Sequence, residues 1–417
     1  MIRRNWSRAV GFIAAGALAL GLAACAPEPP IIDVGIDQLD SALPGDVEAQ
    51  LQQVTEGAMA ATGSTGAIVG VYAPWAGQWE TGLGTTVPGG EPVDADMSFK
   101  ATAVTRAMTC DVLYALVERG TVELDDTVTE WLETYPNVKD VTLEQLCDST
   151  SGIRGYANAI MPRLLAIPER KWVSRELAAY GLAPGRAFES GKQFSDSDTG
   201  YVLLGIVLER ASGLSLDELY DEYVFTPLGM NETSFPTSID DSGDWLGGLI
   251  SRTDGNGDIK CAEPDDITAL SPTAGAGAAG AVSTVSDLAT YVRALAAGAR
   301  SYDSEERFAD PRTTGKSQPS WFTADGGAYQ AGSLIGQHGS LPGYMTAAYA
   351  DRETGLTVVI VLNNSRGSSV IARLAAWQLA AIVSKAPAAD GRTAPEAGLP
   401  WTAESLESQI REHAICS

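Results

Sequence analysis

Apolar residues fall at helical spacing over Asp46–Ala61, which predicts a helix. The pattern then shortens. GAIVGVYAP (Gly66–Pro74) is a β-rich run bounded by Gly and Pro, and GQWETGLGTT follows it, so the two read as antiparallel strands. Helical spacing returns from about Ala103 to Arg119 and is closed by Gly120. In VTLEQLCDSTSGI (Val141–Ile153), Thr142 is placed to cap a short helix ending near a Ser-Gly loop. Gly200–Gly213 is again apolar at helical spacing, and Gly277–Gly298 begins as a Gly-rich strand or turn that continues as a helix capped at Ser286 or nearby. Late in the chain, Tyr344–Arg352 and Leu356–Asn364 are predicted strands, and Ser368–Ala386 is an amphipathic helix. Strands at both ends with helices between them predict an α/β fold, with one sheet built from the two termini and a helical insertion. Residues 387–417, rich in Pro and Glu, are expected to form a C-terminal extension.

The first 24 residues follow a different pattern. Arg3, Arg4 and Arg8 precede an almost wholly apolar run from Val10 to Ala24, too short to span a bilayer comfortably and flanked like a signal peptide. It ends at Leu22-Ala23-Ala24-Cys25, which resembles a bacterial lipoprotein signal. That resemblance implies cleavage before Cys25, a lipid on its sulfur, and an exported protein tethered to a membrane face. An ordinary secretory signal with a chance cysteine is the alternative. Residues 25–45, with several prolines and no helical period, read as a tether.

The chain has 417 residues, 45% of them hydrophobic, enough to bury a substantial core without staples. Its net charge is −25, and loss of the three N-terminal arginines makes the mature part more acidic still. Such a surface repels nucleic acid, so no nucleic-acid partner is expected. Beyond Cys25, four cysteines remain, namely Cys110, Cys147, Cys261 and Cys416, and in an oxidising compartment they allow three pairings. None has metal-ligand spacing, and the histidines are only His338 and His413, so neither a zinc site nor any cofactor is expected.

Several stretches, in order, resemble the serine β-lactamase and D-alanyl-D-alanine carboxypeptidase superfamily in its class C and esterase-like branch. AIVGVYAPWAGQWETGLG is similar to the opening strand pair of that family, and FKATAVTRAMTCDVLYALVERGTVELDDTVTEWL to its nucleophile helix. VTLEQLCDSTSGI, FSDSDTGYVLLGIVLERASGLSLDELYDEYVFTPLGMNETSF, GAVSTVSDLATYV and GSLPGYMTAAYADRETGLTVVIVLNN complete the set over residues 46–386. The resemblance implies an antiparallel sheet flanked by helices, with the α/β part over about 46–100 and 277–386 and the helical part over about 101–276. It also implies a Cys110–Cys147 disulfide, because the family packs those two helices together, and with it Cys261–Cys416.

The motifs that carry chemistry in the family are altered here. Its Ser-x-x-Lys places a nucleophile and a proton acceptor on one helix face. The aligned residues are Ala103 and Arg106: a methyl group has no lone pair to attack with, and a guanidinium keeps its proton above pH ~12. Tyr-x-Asn becomes Asp196-Ser197-Asp198. Lys-Thr-Gly or His-x-Gly becomes Gln337-His338-Gly339, with His338 one position out, so that it points to the opposite strand face unless a bulge or a shifted alignment restores it. Ser149 replaces the histidine of the His-Thr-Ser-Gly loop. Cys110 could share the face of Ala103 as an alternative nucleophile, or be half a disulfide.

If the family's geometry holds, Arg106, Asp196 and Asp198 converge and form an ion-pair cluster that plugs the former active site; otherwise they point to water in an open cleft. Asp254, Asn256, Asp258 and Asp265 have the spacing of a calcium loop, but Ile259 stands where glycine is wanted, and a solvated acidic loop is the other reading. The reading that follows is an exported, membrane-anchored lipoprotein with a disabled site that binds a cell-wall peptide, a lipid-linked precursor or a protein partner. The rivals are a working serine hydrolase with rearranged residues (carboxypeptidase, β-lactamase or esterase) and a structural surface protein with no small-molecule pocket.

Overall fold

Two strands from the N-terminal part and six from the C-terminal part share one sheet. The computed structural model describes residues 31–239, 243–303, 305–396 and 398–416; the signal-like segment and Cys25 lie outside the described residues. The strands are β1 (Gly66–Ala73), β2 (Gly77–Gly84), β3 (Phe99–Lys100), β4 (Leu249–Thr253), β5 (Ile259–Asp266) and β6 (Val282–Ser283), followed by β7 (Arg312–Thr313), β8 (Phe322–Asp325), β9 (Ala328–Ala331), β10 (Leu334–Leu341), β11 (Tyr344–Asp351) and β12 (Thr357–Leu362). The large sheet runs β2-β1-β12-β11-β10-β9-β8-β7, and its pairs are antiparallel. Pairing of Ala67 with Leu362 through Tyr72 with Thr357 closes the two chain ends on each other.

The strand sequences explain why helices cover both faces. In β1, Ile68 and Tyr72 enter one core while Ala67, Val69, Val71 and Ala73 enter the other, and β12 divides its valines, Ile360 and Leu362 in the same way. A strand buried on both sides reads as an apolar run rather than an alternation. Helix α1 (Gly45–Thr62) and the helix Val370–Val383 cover one face. Helix α2 (Val104–Glu118) and the helix Val285–Ala297 cover the other, backed by the helical insertion.

Local signals were largely kept. Thr142 accepts from the Gln145 amide (3.2 Å), and the Gln145 side chain accepts in return from the Thr142 amide (3.2 Å). The late cap is Thr284 rather than Ser286, since its hydroxyl accepts from the Asp287 amide. Three segments differ from expectation or add to it. The insertion contains the β4–β5 hairpin, and the calcium-like stretch is its turn. There the Asp254 carboxylate accepts from the Asn256 and Asp258 amides (2.8 and 3.0 Å) and meets Lys260 (3.2 Å). In the C-terminal extension, the helix Ala403–His413 packs on the fold through Leu406 and Ile410, and Cys416 is disulfide-bonded to Cys261. The tether, from Ile31 on, lies against the fold, with Ile32 donating to the Pro227 carbonyl (2.9 Å) and Leu43 buried.

Among the charges buried in the described residues, the Asp111 cluster and Lys100 make a contrast. Asp111 on α2 receives Arg300 (2.6 Å), Arg307 (2.5 Å) and the Tyr291 hydroxyl (2.8 Å), and Asp303 bridges the two arginines (2.7 and 2.8 Å). Two carboxylates and two guanidiniums cancel, so the cluster survives removal from water. Lys100 does not have such company. Its ammonium donates to the Thr268 carbonyl (2.9 Å) and lies 4.8 Å from the centre of the Tyr344 ring, and burial lowers its pKa to about 7.

That lysine makes stability pH-dependent. An unfolded lysine holds its proton up to about pH 10.4, so acidification from there to 7 favours the unfolded chain. The stability of Lys100→Met relative to the parent should therefore rise, by of order 3 kcal/mol, as pH falls from 10 to 7; the unpaired Thr268 carbonyl it leaves is a pH-independent cost that does not enter this change. Urea midpoints measured across that range check this; a difference independent of pH contradicts it.

Candidate functional site

The start of α2 is built by backbone strain. Thr102 has φ +50°, a left-handed conformation rare for a β-branched residue, and the turn it makes sets Ala103 at the head of the helix. Strand β10 passes directly against that point. A side-chain carbon at Gly339 would overlap the Ala103 methyl, so glycine is required there. Ala103 and Gly339 thus stand together, but the side chain at the helix head is a methyl, buried and without a lone pair.

One turn along, the Arg106 guanidinium reaches two carboxylates through different nitrogens, Nη1 to Asp196 and Nη2 to Asp198. The convergence implied by the sequence is present. Arg106 is 7% exposed, Asp198 26% and Asp196 48%, so the cation is inside and the carboxylates form its outer face. Each element has a local reason for its place. Ser197 caps the helix Asp198–Ser212 by accepting from the Gly200 amide, and Asp198 then occupies the first helical turn, where partial positive charge favours an anion. The Tyr201 ring lies 5.2 Å from the guanidinium, and its hydroxyl donates to the Cys147 carbonyl (2.7 Å) and accepts from Ser149 (3.2 Å). The carboxylates hold the Arg106 pKa far above its usual value despite burial, and burial outweighs Arg106 in raising the pKa of Asp198.

His338 is not restored by a bulge. The β10–β11 ladder runs without a shift through Gln337–Ala348, His338–Ala347 and Gly339–Thr346. Gln337 therefore faces the α2 side, where it donates to the Gly327 carbonyl (3.0 Å), while the His338 Nδ1 meets the Tyr349 hydroxyl (2.8 Å) among the rings on the other face. Burial, Arg373 and Arg106 push the His338 pKa well below its usual value, so the imidazole is neutral. Cys110 is bonded to Cys147, which removes it as a free nucleophile.

A cleft of about 280 Å³ opens beside this cluster. Its floor is Arg106, Asp196, Asp198 and Gly339, and its walls include Met161, Leu164, Ile250 and Leu341. The wall residues gave no signal in the sequence, because they come from separate elements that only the fold brings together. Tyr201 was within reach of a pattern argument, three residues after Asp198 on one helix face. Among the described residues, no group of three His, Cys, Asp or Glu side chains is placed to hold a metal.

Comparisons with known proteins agree with this architecture. The model of the family described as Beta-lactamase matches residues 51–382. Penicillin-binding protein 4* of Bacillus subtilis is 28% identical over 144 residues, 34% of this chain and 31% of that protein. Esterase EstB of Burkholderia gladioli is 34% identical over 166 residues, 35% of this chain and 40% of that protein. The match thus spans well under half the length of either curated relative. In structure, a D-stereospecific amidohydrolase from Streptomyces superposes with a TM-score of 0.67 at 22% identity, over 79% of this chain and 98% of that one. The octameric penicillin-binding protein homologue from Pyrococcus abyssi also gives 0.67 at 22% identity, over 85% and 79%.

Removal of Arg106 leaves two carboxylates facing each other with no cation between them. Arg106→Ala should cost about 2 kcal/mol, less than the ~3–5 of a fully buried pair because Asp196 is half in solvent. Asp196→Asn should cost less, since Asp198 still holds the guanidinium. Chemical denaturation checks both, and an Arg106→Ala curve that overlays the parent contradicts the cluster.

Proposed function

The chain belongs to the beta-lactamase family, and we propose that it is a binding member of it. In this reading it is an exported lipoprotein, anchored to the cell membrane through Cys25, that holds a cell-envelope peptide or protein partner in the cleft and transfers no acyl group. The observation that carries the reading is Ala103. Acyl transfer by a side chain needs an oxygen or sulfur that can attack a carbonyl, with a base to take its proton. At the head of α2 there is a methyl. The neighbouring cation cannot accept a proton, and the neutral His338 is turned to Tyr349.

The cleft itself supports binding. It has a polar floor and apolar walls, the usual make-up of a small-ligand site. Relatives named as penicillin-binding proteins and as a D-alanyl-D-alanine-carboxypeptidase/endopeptidase make a cell-wall peptide the first ligand to consider. A second reading, a hydrolase with a displaced nucleophile, draws on one observation: the Thr102 hydroxyl, one residue before Ala103, is buried without a partner among the described residues. Among the described residues no base is hydrogen-bonded to that hydroxyl.

Incubation of the folded ectodomain with a labelled penicillin, followed by intact-mass and peptide mapping, separates the two. No covalent adduct is expected. An adduct on Thr102, or on a hydroxyl that lines the cleft, would establish the hydrolase reading.

A further inference from the structure

A cavity of about 430 Å³ opens beside the last turns of α2 and shares no lining residue with the cleft. Four carboxylates line it without a counter-charge: Glu118 on α2, Glu144 and Asp148 at the short helix Leu143–Cys147, and Asp325 at the end of β8. Asp148 accepts from the Gly326 amide (2.9 Å) and Asp325 from the Asp310 amide (2.8 Å), but none of the four is in an ion pair among the described residues. The two arginines that reach the cavity are already engaged, Arg307 with Asp111 and Asp303, and Arg312 with Asp310. Asp325 is buried, whereas Glu118 and Glu144 are exposed, so carboxylates stand both at the floor and at the rim.

Two hydroxyls in the same cavity are also unfilled. Tyr114 and Thr150 line it, at 8% and 4% exposure, and neither hydroxyl is hydrogen-bonded among the described residues, although buried polar groups ordinarily find partners. Burial and the charges of Asp148, Asp325 and Glu144 raise the Tyr114 pKa, so its hydroxyl lies toward those carboxylates. Burial, then Asp325 and Glu144, push the Asp148 pKa up to about 8, against the pull of the Gly326 amide and Arg307. Burial raises that of Asp325 to about 6. A carboxyl group that keeps its proton at neutral pH is what remains when no cation is supplied. Val117 and Leu124 add an apolar wall. Among the described residues these carboxylates do not form a group placed to hold a metal, which favours an organic cation.

We propose that this cavity is a second binding site, for an aliphatic amine: an ammonium on Asp148 and Asp325 that also donates to the Tyr114 and Thr150 hydroxyls, a carbon chain along Val117 and Leu124, and, in a diamine, the other ammonium at Glu118 and Glu144. The site is independent of the cleft and of what the cleft binds. Its chemistry sets the direction of the proton traffic. The ammonium supplies the partner that the ionised Asp148 lacks, so at pH 7 the Asp148 carboxyl gives up its proton as the amine enters.

Titration calorimetry at low salt with 1,5-diaminopentane, pentylamine, pentan-1-ol and pentanoate tests it. At pH 7.5 pentylamine should bind about tenfold tighter than the alcohol, the diamine tighter still, and pentanoate not at all. The affinity of the amines should rise by up to about tenfold per pH unit between 6 and 8, because an alkylammonium holds its proton to about pH 10.4 while Asp148 loses its own. The heat of binding should differ between phosphate and Tris buffers by the proton released. Asp148→Asn keeps an acceptor for the Gly326 amide; it should weaken the amines about tenfold and flatten the pH dependence. Asp196→Asn, in the cleft, should change neither. If Asp148→Asn does not fold, the pH dependence and the buffer dependence of the parent protein decide. Amines that bind no tighter than the alcohol, an affinity unchanged from pH 6 to 8, or loss of binding in Asp196→Asn overturns the proposal. Binding of calcium ions without binding of either amine overturns it too.

Discussion

A charge taken out of water must meet an opposite charge, and this constraint organises the molecule around α2. Every residue from Val104 to Leu116 on that helix is buried, yet the stretch includes Arg106 and Asp111. Each is tolerable only because distant segments deliver counter-charges: Asp196 and Asp198 to the first, Arg300 and Arg307 to the second. Cys110, between them, is bonded to Cys147. Helix α2 is thus fastened at three successive points to three other parts of the chain.

In the proposed reading, the framework outlasts the chemistry it could position. The strained turn at Thr102 and the close pass of Gly339 over the helix head are features that positioning a reactive group would justify, and both are present. The group itself is a methyl. Fold carries no activity by itself, and relatives with hydrolase names describe the scaffold more securely than the chemistry of this chain.

Much of this was legible in the sequence, for physical reasons that can be named. The central strands are apolar on both faces, and the capping box at Thr142 is a local hydrogen-bond pattern, so both are visible in short windows. The Arg106–Asp196–Asp198 convergence was legible only through the resemblance, since about ninety residues separate the partners. The Asp111 cluster was not legible, because its arginines lie nearly two hundred residues away with no pattern to link them. The β4–β5 hairpin was not legible because its Asp-Gly-Asn-Gly turn reads as an acidic loop, with calcium-loop spacing as the other reading, while the same residues serve a tight turn in which Asp254 bonds its own backbone. The helix Ala403–His413 was not legible because the Pro- and Glu-rich composition hid the apolar Leu406 and Ile410, although the Cys261–Cys416 bond that holds the end of the chain was implied by the resemblance.

The central claim is that no group in the cleft accepts an acyl chain. Its most direct test is the initial rate of p-nitrophenyl acetate hydrolysis as the concentration of folded protein rises, with heat-unfolded protein as the control for surface nucleophiles. The account predicts equal slopes for folded and unfolded protein. A folded-state slope well above the control, abolished by altering a hydroxyl that lines the cleft, contradicts it.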